Sequence, residues 1–125
     1  MTTVPRPLEG VRVVEFSHMV MGPTCGLVLA DLGADVVKVE PAPGGDKTRR
    51  LPGSGSGYFG TYNRNKRSIA VNLKSVEGLK FATHLVRESD VLIENFGVGV
   101  LDRLGLGYDA MQEINPSLVY CALKG

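Results

Sequence analysis

The sequence has no tryptophan, two cysteines, two histidines, and a balance of acids and bases that leaves a net charge of +1. Each shortage closes a class. Cys25 and Cys121, both set among apolar residues, are too few for a disulfide scaffold; they read as buried thiols in a reducing compartment, the cytoplasm by default. His18 and His84 have no cysteine or acidic partner at ligand spacing, which argues against a metal site. No apolar run approaches the about 20 residues of a membrane helix, and residues 1–8 hold Pro5, Arg6 and Pro7 without the apolar stretch of a secretory leader. The pI of about 7.8 falls short of a nucleic-acid-binding domain, although Tyr58, Phe59 and Tyr62 interleave with basic residues. There is no phosphate-binding P-loop sequence, and no Ser/His/Asp set can be assembled. Glu40 ends a strand about 20 residues past a glycine-containing turn, as in dinucleotide sites. That turn reads Met21-Gly22-Pro23-Thr24-Cys25-Gly26, however, and Pro23 removes a backbone N–H where a pyrophosphate needs one.

What remains is ordinary soluble globular composition, 43% apolar and 22% charged over 125 residues, enough for one domain spanning 1–125. Residues 11–16 are β-branched and bounded by Gly10 and Ser17, which predicts a first strand. Pro23 suits the first turn of a helix over 24–32, apolar nearly all round and so expected to be buried, with Gly33 ending it. A second strand over 35–40 completes a βαβ unit, the signature of a right-handed crossover and a parallel sheet. Residues 41–57 carry three of the seven prolines and many glycines, a long, mobile loop. A third strand over 68–73 follows, then a helix capped by Ser75 with Glu77 in its first turn. A strand over 90–94, a turn over 95–99, short helices over 100–104 and 108–114, and a last strand over 118–123 complete the reading. The whole is α/β, a Rossmann-like parallel sheet flanked by helices. The last strand is apolar enough to need cover on both faces, so the chain reads as an incomplete part of a larger fold.

The net charge conceals a pattern. Residues 1–46 hold three bases and six acids, residues 47–80 hold eight bases and one acid, and residues 81–125 hold three and six. A basic middle between acidic flanks predicts a local anion site, with a solvated basic loop as the alternative. In open α/β sheets ligands sit at the carboxyl ends of the strands. Three segments lie there: 17–22, Glu40-Pro41, and Asn95-Phe96-Gly97. The basic stretch 64–74 is placed to supply phosphate contacts. His18 alone reads as structural.

Taken in order, these segments resemble one family. Residues 8–16, the turn through Gly22-Pro23, residues 31–40, Gly45-Asp46, Asn65-Lys66-Arg67-Ser68, residues 90–96 and Leu101-Asp102-Arg103-Leu104-Gly105 are similar to the amino-terminal part of the class III coenzyme A transferases. That group contains formyl-CoA transferase, carnitine CoA-transferase and α-methylacyl-CoA racemase. The resemblance covers essentially the whole sequence, and the Asn-Lys-Arg-Ser and Glu-Asn-Phe stretches look more like the transferase branch. It implies transfer of CoA from an acyl-CoA to a carboxylic acid. Coenzyme A is then a substrate, and no prosthetic group or metal is needed.

The resemblance also implies roles for residues. His18, Met19, Val20 and Met21 would line the thioester region. Val20 replaces a glutamine that touches the acyl group in the formyl-CoA enzyme, which points away from oxalate or formate and toward a more apolar acyl group or acid. Pro41 replaces a phosphate-binding arginine, whose contact Arg49 or Arg50 would then supply. Val71, Asn72, Leu73 and Lys74 would pack on the adenine and reach its phosphates. Asn95, Phe96 and Gly97 would hold the pantetheine arm, and Arg103 would sit on the diphosphate side. The family's attacking aspartate forms a mixed anhydride and then an aspartyl-CoA thioester; by the family's order it falls beyond Gly125, so no catalytic residue is assigned within the sequence. The family also implies an interlocked homodimer, or a partner chain completing the fold. Three other readings stay open: a racemase-type fragment, a non-catalytic CoA-binding module or partner-dependent subunit, and an inert remnant that self-associates through its last strand.

Overall fold

The computed structural model describes residues 4–124. Residues 1–3, part of the segment read for a leader, and Gly125, the end of the sequence, lie outside the described residues. Five strands, β1 (Arg12–Phe16), β2 (Asp35–Pro41), β3 (Arg67–Val71), β4 (Val91–Glu94) and β5 (Val119–Ala122), form one parallel sheet in the order β3-β2-β1-β4-β5. The helices are α1 (Met21–Asp31), α2 (Tyr58–Tyr62), α3 (Val76–Arg87), α4 (Val100–Arg103) and α5 (Tyr108–Ile114). This is the α/β architecture expected from the sequence, and the strand order reverses between β1 and β4.

Alternate strand residues serve opposite faces. Val13, Val36 and Ile93 pack with Ala30 of α1 and Ala34. Val14, Phe16, Val39, Val71 and Leu92 pack with Ala82 and Val86 of α3, and with Leu101, Leu106 and Met111. Burial on both faces explains why β1, β2 and β4 are near-continuous runs of Val, Ile, Leu and Phe. Pro23 lies in the first turn of α1, where no backbone donor is needed. Gly33, at φ +108°, ends the helix with its N–H on Ala30 O. Ser75 caps α3 by accepting from the Gly78 N–H at 2.9 Å.

Three elements differ from the sequence reading. The segment 41–57 contains two 3-10 turns, Lys47–Arg50 and Gly53–Gly55, and α2 follows it. Asp46 builds the first turn by accepting from Thr48 N at 2.9 Å and Thr48 Oγ1 at 2.7 Å. The third strand stops at Val71, opposite Pro41, because β2 ends there; Asn72 and Leu73 belong to the turn into α3. And α1 is buried on one face only: Met21, Val28 and Leu32 are 46%, 51% and 41% exposed, because no described element lies outside it. Val119 of β5 is likewise exposed.

Candidate functional site

The turn between β1 and α1 stands at the carboxyl edge of the sheet, where the strand order reverses. It is clamped from three sides. Asn95, just past β4, acts as an amide mimic: its Oδ1 accepts from His18 N at 3.0 Å and its Nδ2 donates to His18 O at 3.0 Å. The His18 ring stacks on Phe96 with centroids 5.6 Å apart. Met19 N donates to Thr48 Oγ1 at 3.0 Å. Met19 itself has φ +62°, a left-handed conformation that costs a non-glycine residue roughly 1 kcal/mol. The clamps are what hold it there. A glycine makes the approach possible, since a Cβ at Gly22 would lie 2.7 Å from Asn95 Cγ and from Ser17 Cβ.

Two cavities open beside this turn. One, of about 480 Å³, lies between Ser17, His18 and Met19 on one side and Lys47, Thr48 and Leu51 on the other, with Pro41 and Phe96 at its end. The second, of about 330 Å³, is walled by Val39, Val71, Asn72, Leu73, Lys74 and Leu104, again with Pro41 and Phe96. The shared residues make the two cavities neighbours. The structure therefore brings together His18, Met19, Pro41, Val71, Asn72, Leu73, Lys74 and Phe96 from the sequence-derived candidates. Asn95 and Gly97 line a smaller hollow of about 190 Å³ with His18 and Lys124. Val20 and Met21 line none of these cavities, and Arg103 lies apart from them, with its guanidinium over Gly99; its neighbour Leu104 faces the second cavity instead. Lys47, Thr48, Leu51 and Lys124 were missed by the sequence reading, which had Ser17 in the segment 17–22. The Asp46-x-Thr48 cap was the available signal for the 46–51 wall.

Half of the basic segment is consumed by the acidic stretch before it. Lys66 pairs with Glu15 at 2.9 Å, Arg49 with Glu40 at 2.7 Å, Arg64 with Asp31 at 3.2 Å and Arg67 with Asp35 at 2.6 Å. Arg49 also lies 3.8 Å over the Phe59 ring, so it is engaged and not poised for a phosphate. Arg50 donates to Gly44 O and stays exposed. Lys47 and Lys74 remain as cations on the rims of the two cavities. Cys25 and Cys121 are free and half-buried; burial, then each other's proximity, pushes the Cys25 thiol up. Among the described residues, no group of three or more His, Cys, Asp or Glu could hold a metal ion, and no helix is long and apolar enough to cross a membrane.

Burial by itself would raise the Glu40 carboxyl. Two bonds from Arg49, one from the Asp46 N–H and one from the Ser68 hydroxyl outweigh it and hold the group at about 2, against an ordinary 4.5. A lowered carboxyl contributes stability that is complete above pH 4.5 and is lost as the pH falls from there toward 2. Glu40→Gln should flatten the acid limb of the stability curve and cost about 3 kcal/mol at neutral pH. Urea melts at pH 7 and pH 3.5 check this; an unchanged acid limb would count against the Glu40 cluster.

Residues 8–125 match the model of CoA-transferase family III. The chain is 50% identical over 124 residues to a formyl-CoA:oxalate CoA-transferase of Streptomyces coelicolor, covering 96% of this chain and 30% of that protein. It is 42% identical to an acyl-CoA transferase of Fusarium pseudograminearum, covering 94% of this chain and 28% of the relative. Among solved structures, a CAIB/BAIF family protein from Brucella suis superposes with a TM-score of 0.89 at 44% identity, over 98% of this chain and 34% of that one. A hypothetical protein from Mycobacterium tuberculosis gives 0.90 at 40% identity, over 96% and 34%. The chain spans about 30% of the length of the curated relatives it matches. With the family model matching nearly its whole length, the chain belongs to the class III CoA-transferases.

Proposed function

We propose that this chain builds the coenzyme-binding walls of an enzyme that moves CoA from an acyl-CoA to a carboxylic acid. The observation that carries the reading is the pair of neighbouring cavities joined at Pro41 and Phe96. Their lining residues come from the segments that the family resemblance assigns to the coenzyme. In this reading the adenine lies against Val71 and Leu73 with Lys74 at its phosphates. The pantetheine arm crosses Phe96 beside Asn95 and Gly97, and the acyl end enters the larger cavity.

Met19, Pro41, Leu51 and Phe96 give that cavity an apolar part beside Ser17, His18, Asp46, Lys47 and Thr48. Those four side chains suit an apolar acyl group better than an oxalyl or formyl one. Low polarity near the thioester also strengthens whatever charge–dipole contacts the reacting atoms make. The attacking carboxylate is supplied from outside these 125 residues, so the isolated chain binds without turning over. A homodimer or partner chain supplies the remaining parts of the site.

Calorimetric titration of coenzyme A into the purified chain tests this. Micromolar binding is expected, with Lys74→Ala weakening it by about 1–3 kcal/mol through loss of a charge-assisted phosphate contact. Binding that ignores this substitution would place the phosphates elsewhere, and transferase turnover by the chain alone would contradict the assignment of the nucleophile.

A further inference from the structure

The carboxyl halves of β1 and β2 carry charge where a central parallel strand carries apolar side chains. Glu15 and Lys38 stand opposite each other in register, 0% and 1% exposed. An ammonium has three protons to give. The Lys38 Nζ has four acceptors around it: Ser17 O at 2.7 Å, Ser17 Oγ at 3.0 Å, Asp46 Oδ2 at 3.2 Å and Glu15 Oε2 at 3.4 Å. Apart from Glu15 of β1, these acceptors belong to two separate loops. Ser17 opens the turn that carries His18 and Met19, and Asp46 caps the 3-10 turn that carries Lys47 and Thr48. A second tie joins the same two loops where Met19 N meets Thr48 Oγ1. Those loops are the facing walls of the 480 Å³ cavity.

Apolar residues replacing Lys38 together with its acidic partners would hold the sheet as firmly, since desolvating buried ions offsets most of their attraction. What an apolar side chain cannot do is hydrogen-bond the carbonyl and hydroxyl of one loop and pair by charge with a carboxylate of the other. The demand for such a bond is set by Met19, whose left-handed backbone needs an external hold. We infer that Lys38 is a positioning residue that fixes the gap between the two walls of the larger cavity, and thereby the discrimination between coenzyme A and an apolar acyl-CoA. The inference rests on the coenzyme reading above. Lys38 touches no substrate, being enclosed beneath the turn.

Two variants and two readouts test it. Lys38→Met removes the ammonium; Asp46→Asn is near-isosteric, can still accept from Thr48 through its Oδ1, and turns an uncharged NH2 toward Lys38 in place of the carboxylate oxygen. Calorimetry compares coenzyme A with hexanoyl-CoA, and mass-spectrometric hydrogen exchange follows the Met19 amide. The unsubstituted chain should prefer hexanoyl-CoA by about tenfold. Both variants should lose most of that preference, keep coenzyme A affinity within about twofold, and exchange Met19 faster while Asn72 and Leu73 are unchanged. Equal loss of both ligands, or an intact preference, would overturn the inference. If the unsubstituted chain binds neither ligand, the coenzyme reading falls, and Met19 exchange alone decides: faster exchange in both variants supports the positioning role, and unchanged exchange removes it.

Discussion

Gly26→Ala should destabilise the chain by upwards of about 3 kcal/mol, although alanine is the better helix former by about 1 kcal/mol. The reason is where α1 rests. A Cβ at position 26 would overlap Glu15 Oε1 and come within 3.1 Å of Lys66 Nζ. Neither group can swing away, because Glu15 is 0% exposed and the Lys66 side chain 2% exposed. Lys66 is further held by Pro23 O at 2.7 Å and Asn63 Oδ1 at 3.0 Å. The methyl must therefore lift α1 off β1 or break a buried ion pair, and either outweighs the helix-propensity gain. Gly60→Ala in α2 is the control, since nothing lies within 4 Å of its would-be Cβ, and it should stabilise by up to about 1 kcal/mol. Denaturant melts of the two variants have opposite expected signs. A stabilised Gly26→Ala would mean that α1 does not seat against Glu15.

Glu15→Gln is the second large effect. It keeps shape but removes the charge shared by Lys66 at 2.9 Å and Lys38 at 3.4 Å. Breaking a buried pair from one side costs about 3–5 kcal/mol, because the remaining charge is left uncompensated. Burial already holds the Lys66 ammonium below its ordinary 10.5, and Glu15 is the main group pulling it back up. Without Glu15 the ammonium falls further and sheds its proton more readily. The unfolded chain then binds more protons than the folded one, so the variant's stability should rise with pH toward 10.5. Adding Lys66→Met to Glu15→Gln should recover much of the loss, a coupling that a double-mutant cycle measures directly. A pH-independent loss that Lys66→Met does not relieve would mean that Glu15 acts through packing alone.

The strands and long helices were legible because their signals are local: β-branched runs for β1, β2 and β4, Ser75 for α3, Gly33 for the end of α1. The charge pattern was legible but its meaning was not. An excess of bases in 47–80 pointed to an external anion, whereas half of those bases close onto Glu15, Asp31, Asp35 and Glu40 within the chain. Lys66 and Glu15 are 51 residues apart, and no local window joins them. A lysine between Val37 and Val39 in a core strand was the clue that an internal acid must exist. The 46–51 wall went unread because glycine and proline nearby masked the Asp46 cap. The coenzyme candidates came from resemblance, and the fold gathers His18, Met19, Phe96 and the 71–74 stretch around the two cavities. Val20 and Arg103 stand one residue from positions that do face the cavities, Met19 and Leu104, a displacement that linear spacing cannot resolve.

The most direct test of the account is hydrogen exchange with and without coenzyme A, because the sheet offers a competing hollow at its other end. That hollow, about 300 Å³, is lined by Arg12, Arg67, His84 and Glu88 at the amino ends of the strands. The account predicts slowed exchange in 17–19, 71–74 and 95–97 on adding coenzyme A, with residues 84–89 unchanged. Protection confined to 84–89 would contradict it and move the ligand to the opposite edge of the sheet.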